Sequence, residues 1–158
     1  MEGKERKGVI SISSISMTRQ KTSYHKSRTQ AGNLVRIIDC PFSPLDCIAP
    51  VGMESGLISD DQISASSQLD DNHAPKRARL NTKMSGIKQG GWLPLTNDRN
   101  QWLQVDLNSY TRVTRVATQG MDGYEQWVTS FQLEYSITEI TFKSYMESVG
   151  NPKVCGAY

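Results

Sequence analysis

One eleven-residue stretch narrows the possible folds more than any other: Asn97-Asp98-Arg99-Asn100-Gln101-Trp102-Leu103-Gln104-Val105-Asp106-Leu107. Asn97 to Asn100 form a polar, turn-making cluster. From Gln101 onward, Leu103, Val105 and Leu107 fall on one side of an extended chain and Trp102, Gln104 and Asp106 on the other, the period of a half-buried strand. An aliphatic row of this kind needs a core to lie on. Asn108-Ser109 then reads as a turn, and Thr111 to Thr118 is β-branched enough to form the next strand. Val128 to Ser136 repeats the alternation, with Phe131, Leu133 and Tyr135 expected inward and Gln132 and Glu134 outward.

The chain has 158 residues, enough for one domain and a tail. Its 37% hydrophobic content is ordinary for a globular protein, but a mean hydropathy of -0.50 indicates that part of it is polar beyond that need. Charge is unevenly spread: Met1 to Asp39 hold 8 Lys/Arg against 3 Asp/Glu, and the remainder holds 10 against 13. The net charge of +2 is too small to argue for nucleic acid or an acidic membrane as partner. Glu2 to Asn33, rich in Ser, Thr, Lys and Arg, is expected to be disordered. After a short apolar run at Leu34 to Ile38, Pro41 and Pro44 mark a boundary. Residues 1–46 are therefore read as a basic leader and linker, and 47–158 as the domain. No apolar run approaches the roughly 18 residues of a membrane span. Ser11, Ser13, Ser14 and Ser16 interrupt Val9 to Met17, so no convincing signal peptide is present.

Several separated segments carry a family resemblance. Cys47-Ile48-Ala49-Pro50-Val51-Gly52-Met53-Glu54-Ser55-Gly56-Leu57-Ile58, Ser59 to Ser67, Ala78-Arg79-Leu80 after Pro75, the Trp102 to Leu107 strand, Thr111 to Gly120 and Gly150 to Val154 resemble, in that order, a discoidin domain, also called a coagulation factor 5/8 type C domain. The resemblance implies an all-β, discoidin-like antiparallel β-sandwich of jelly-roll type. It stops at Val154, so the domain is expected to be incomplete at its C-terminus. In the family the opening cysteine bonds to a closing one; here the opener is Cys47, and its partner is either absent or Cys155.

For function, the resemblance implies a non-catalytic extracellular module for binding and cell adhesion that meets its ligand through apical loops. Three stretches match those loops: Gln68 to Pro75 with Asp70, Asp71, Asn72 and His73; Met84 to Gly91 with Lys88 and Gln89; and Met121 to Trp127 with Asp122, Tyr124 and Trp127. Expected partners are a cell-surface glycan, a matrix protein or an anionic phospholipid. Apolar spike residues look scarce, the first loop offering only Leu69, which lowers the lipid reading. Tyr124 and Trp127 combine an apolar body with a polar handle and favour glycan or protein, with Tyr124 expected to be exposed and Trp127 open to a second role as the anchor of the loop against the core. The alternative is a truncated fragment or mis-predicted product with no autonomous binding function. No cofactor and no nucleic-acid partner are implied.

Other polar residues have plainer explanations. Asp60 and Asp61 stand at a helix start, where capping outweighs metal binding. His73 lacks a Cys or His at ligand spacing and reads as a solvated loop residue, and no metal ligands are assigned. The cluster Lys76-Arg77-Ala78-Arg79 is read as structural rather than as a nuclear-import or nucleic-acid patch, because the resemblance to the family's Pro-x-x-Ala-Arg-Leu segment explains Ala78, Arg79 and Leu80. Gly90-Gly91 supplies positive-φ freedom ahead of Trp92, itself expected to be a core or loop-packing residue rather than a ligand platform. No nucleophile elbow, phosphate loop or zinc-protease helix occurs, and no catalytic residue is assigned.

Overall fold

The computed structural model describes residues 9–19, 38–39, 49–109, 111, 113, 116–138, 140–146 and 154–156. Eight strands lie among them: β1 (Val9–Arg19), β2 (Ile38–Asp39), β3 (Ala49–Pro50), β4 (Ile63–Ala65), β5 (Leu103–Asp106), β6 (Gln126–Ser136), β7 (Lys143–Ser144) and β8 (Val154–Gly156). The only helical elements among the described residues are 3-10 turns at Asp60–Gln62, Asp71–His73 and Pro75–Arg77. The all-β, antiparallel class expected from the sequence holds.

The large sheet has the order β4-β5-β1-β6-β7, with β8 also paired to β6; β2 and β3 make a separate two-stranded sheet. Every pairing is antiparallel. The alternation in β5 is realised as read: Leu103, Val105 and the following Leu107 are buried, while Gln104 and Asp106 are only partly so. They meet Met53, Ile58, Ile63, Ala78, Trp92, Val128 and Phe131 in one core. Trp92 is its largest fully buried side chain, at 1% exposure, and its indole N–H donates to the Ser67 carbonyl at 2.9 Å. That bond removes the cost of burying a lone donor.

The structure departs from sequence expectation in four places. Val9–Arg19 lies inside the stretch expected to be disordered, yet it is a strand at the middle of the large sheet. Its Val9, Ile10, Ile12, Ile15 and Thr18 are β-branched and suit a strand. β1 and β2, both on the N-terminal side of the boundary expected at Pro41 and Pro44, are paired into the two sheets.

No strand is assigned among the described residues of Thr111 to Thr118. β5 already has β4 on one edge and β1 on the other, and β6 has β1 on one edge and β7 and β8 on the other, so neither offers this segment an edge. Val113 and Val116 still pack against the core. In β6, Phe131 is buried and Leu133 packs on the core, but Tyr135 is exposed. The inward side of β6 changes parity along its length: Val128 and Phe131 are buried, and at the end of the strand Ser136, 4% exposed, takes the inward place that alternation gives to Tyr135. Cys40 and Cys47 lie outside the described residues, and with them any disulfide to Cys155.

Candidate functional site

The three loops meet, and polar groups from a few residues hold them together. The first, Gln68 to Pro75, is folded on Asp70. One carboxylate oxygen accepts from the Asn72 amide at 2.8 Å, the His73 amide at 3.1 Å and the His73 Nδ1 at 2.7 Å. The bond from the His73 ring, helped by the Asn72 amide, holds the Asp70 carboxyl below the ordinary carboxylate range. His73 is thus half-buried against Asp70 rather than solvated. Asp71 accepts from Gln68 Nε2 at 3.0 Å.

Loop one joins loop two along the backbone: the Asn72 carbonyl accepts from the Gln89 amide at 3.1 Å, and the His73 carbonyl from the Leu93 amide at 3.3 Å. Arg77 staples loop two from beneath, its Nε donating to the Gln89 carbonyl at 2.6 Å and a terminal nitrogen to the Lys83 carbonyl at 2.8 Å. Arg79 is likewise committed, to the Met53 carbonyl at 2.8 Å and the Asp60 carboxylate at 2.7 Å. The basic cluster is part of the scaffold. Asp60 itself pairs with Arg79 rather than capping a helix, while Gln62 Oε1 takes the Ser59 amide at 2.9 Å.

Asp122 links loop two to loop three. Its carboxylate accepts from the Met84 amide and from Lys83 Nζ, each at 3.0 Å, and these two donors, the amide first, lower its pKa. Gly90 forms a bridge to Asp122. A Cβ on Gly90 would stand 2.5 Å from the Asp122 Cβ and 2.9 Å from its backbone N and O, so glycine is required here for close approach. Gly90 and Gly91 do not take positive φ; Gly86 does, at +59°, in the Ser85 to Lys88 turn.

This lattice of bonds presents several side chains outward. Tyr124 is 47% exposed in loop three. Lys88 is exposed in loop two, and Gln89 is half-buried. Trp127 belongs to β6, half-buried, rather than to the loop tip. The sequence reading overlooked Ile87, 76% exposed, and Met84, 46% exposed, both on loop two. An isoleucine held between Gly86 and Lys88 in a turn was the available signal, since a turn offers little apolar surface to cover it. Among the described residues, no group of three or more His, Cys, Asp or Glu is placed to hold a metal, and no helix is long and apolar enough to cross a membrane.

Residues 62–156 match the F5/8 type C domain family. Retinoschisin of Takifugu rubripes is 35% identical over 140 residues, covering 84% of this chain and 48% of that protein. Coagulation factor V of Pseudonaja textilis is 36% identical over 106 residues, covering 64% of this chain and 7% of that protein. Neuropilin-1a of Danio rerio is 38% identical over 92 residues, covering 58% of this chain and 9% of that protein. The chain thus spans less than half the length of each of these relatives. No solved structure matches it significantly. The matched segment runs from the 3-10 turn before β4 through β8 and contains loops one, two and three, and the chain belongs to the F5/8 type C, or discoidin, domain family.

Proposed function

We propose that this chain is a non-catalytic extracellular binding module whose ligand, a cell-surface glycan or matrix protein, is met by loops one to three. The observation that carries this reading is Tyr124. It is half exposed on a loop whose backbone is tied to loop two through Asp122. An aromatic ring on a pre-set backbone stacks on a sugar or peptide at little entropic cost, and its hydroxyl supplies directionality. Asp70, Asp71, Asn72, His73 and Asp122 shape the platform, while Lys88 and Gln89 border it.

A second reading, an anionic phospholipid surface, has its own observation. Ile87 and Met84 stand exposed beside Lys83 and Lys88, an apolar tip flanked by cations. This adds to Leu69, 46% exposed, the one such residue that loop one offers. Binding to immobilised glycans and matrix proteins, and sedimentation with phosphatidylserine vesicles, separate the two. Glycan or protein binding that is lost in Tyr124→Ala, without vesicle sedimentation, supports the first reading. Sedimentation that is lost in Ile87→Ser and kept in Tyr124→Ala replaces it with the second.

A further inference from the structure

The strand at the middle of the large sheet is the first among the described residues, and it lies outside the family-matched residues 62–156. β5 and β6 are not paired with each other; they are joined through β1. Val9 to Ile12 pair with Asp106 to Leu103, and the other edge of β1 pairs with β6 from Ser136 back to Gln126, with a register shift between Ser13 and Met17. Because β1 is antiparallel to both, β5 and β6 run parallel to each other. The gap between them is two strand spacings, roughly 9–10 Å, so one extended chain fills it.

The flanking strands carry Leu103, Val105, Val128 and Phe131 of the core. An empty gap would open that core and leave the inward backbone groups of both strands without partners. Residues 20–37 separate β1 from β2, a contour of up to about 60 Å, so β1 need not move with β2.

We propose that the space between β5 and β6 is a strand-accepting site for an extended peptide antiparallel to both, and that Val9–Arg19 is its resident, separable ligand. Recognition is chiefly by main-chain hydrogen bonds on two edges at once, a stronger demand on register than single-edge strand addition.

The test keeps the full chain and disables only the resident strand. Ile10 lies opposite Val105 and Tyr135, and Ile12 opposite Leu103 and Leu133. Proline at both positions removes two amide donors from a central strand. The readouts are the near-ultraviolet circular dichroism melt and the fluorescence anisotropy of a labelled synthetic peptide with the sequence of residues 9–19. The unsubstituted chain should melt cooperatively and take up no peptide. Ile10→Pro/Ile12→Pro should lose its cooperative transition, bind the peptide saturably and regain the transition in its presence. A scrambled peptide and one carrying the same two prolines should do neither. An unchanged melt in the double variant overturns the proposal, as does a collapsed variant that the peptide fails to restore or that the scrambled peptide restores equally. None of these readouts involves a ligand of the loops.

Discussion

Two ends of this molecule expose large apolar side chains, and they differ in what stands behind them. At the loop end, Ile87, Met84 and Tyr124 project from backbone held by the Asp122 carboxylate, the Arg77 guanidinium and the Asn72 to Gln89 hydrogen bond. At the far end of β6, Ile137, Ile140 and Tyr145 are also exposed, Ile140 at 85%. There the Tyr145 amide is anchored to the Leu133 carbonyl at 2.8 Å, whereas the turn that carries Ile137 and Ile140 has contacts between near neighbours, such as the Ile140 amide to Thr138 Oγ1 at 3.4 Å and the Thr138 amide to Ser136 Oγ at 3.2 Å. Exposure alone therefore does not mark a binding surface. On the function proposed for the loops, what sets their end apart is a backbone fixed by contacts distant in sequence, so that the entropy of ordering it has been met before a ligand arrives.

The largest break in this comparison comes from beneath it. Trp92 fills the core under the loops and bonds to Ser67. Trp92→Ala should lower stability by about 3–5 kcal/mol in a urea melt, through lost burial and an open cavity. It should disorganise the loop end more than the β6–β7 turn, and equal loosening of both ends would deny the loops their common foundation. Smaller is Gly90→Ala, where the added methyl meets the Asp122 backbone rather than a yielding side-chain tip. A cost of about 1–3 kcal/mol is expected, with loops two and three pushed apart. Gly86→Ala tests the other role of glycine. Nothing lies within 4 Å of its would-be Cβ, so only the left-handed backbone resists, by about 1–2 kcal/mol.

Acid should loosen the loops next. The Asp122 pKa is lowered from its ordinary 3.8 by the Met84 amide and Lys83, so its contribution is complete above the unfolded value and is lost as pH falls through the lowered folded one. Asp70 follows the same rule through His73. The Met84 amide resonance should therefore titrate below about pH 4 in the parent chain. In Asp122→Asn that titration should vanish, and its persistence would assign the clamp to another group.

Much of this was legible in the residues themselves. The alternation at Leu103 and Val105 sufficed for β5, because a half-buried strand imposes its period on the sequence. The three loops were placed by the family's own text. Three things were not legible. The Ser-rich composition around Val9–Arg19 hid a strand whose pairing partners lie at least 91 positions away, a contact that no local pattern encodes. The turn beside Ile87 has a sequence signal in Gly86, but the 76% exposure of Ile87 depends on how the rest of the fold places that turn. Gly90 was assigned the wrong reason, since close approach to Asp122 is a tertiary fact.

The smallest effect on stability decides the most about function. Tyr124→Ala, Ile87→Ser and Ile140→Ser each remove an exposed side chain, and each should shift stability by no more than about 0.5 kcal/mol. The two ends should part on binding. If pre-set backbone is what makes exposed apolar groups a site, one of the two loop variants should lose binding to the identified ligand by roughly tenfold or more, the range of a central aromatic or apolar contact, while Ile140→Ser leaves it unchanged. Equal losses at both ends would mean that the ligand reads apolar surface wherever it stands. A loss confined to Ile140→Ser would move the site to the β6–β7 turn, and the bonds that Asp122 and Arg77 make would then serve the stability of the loops alone.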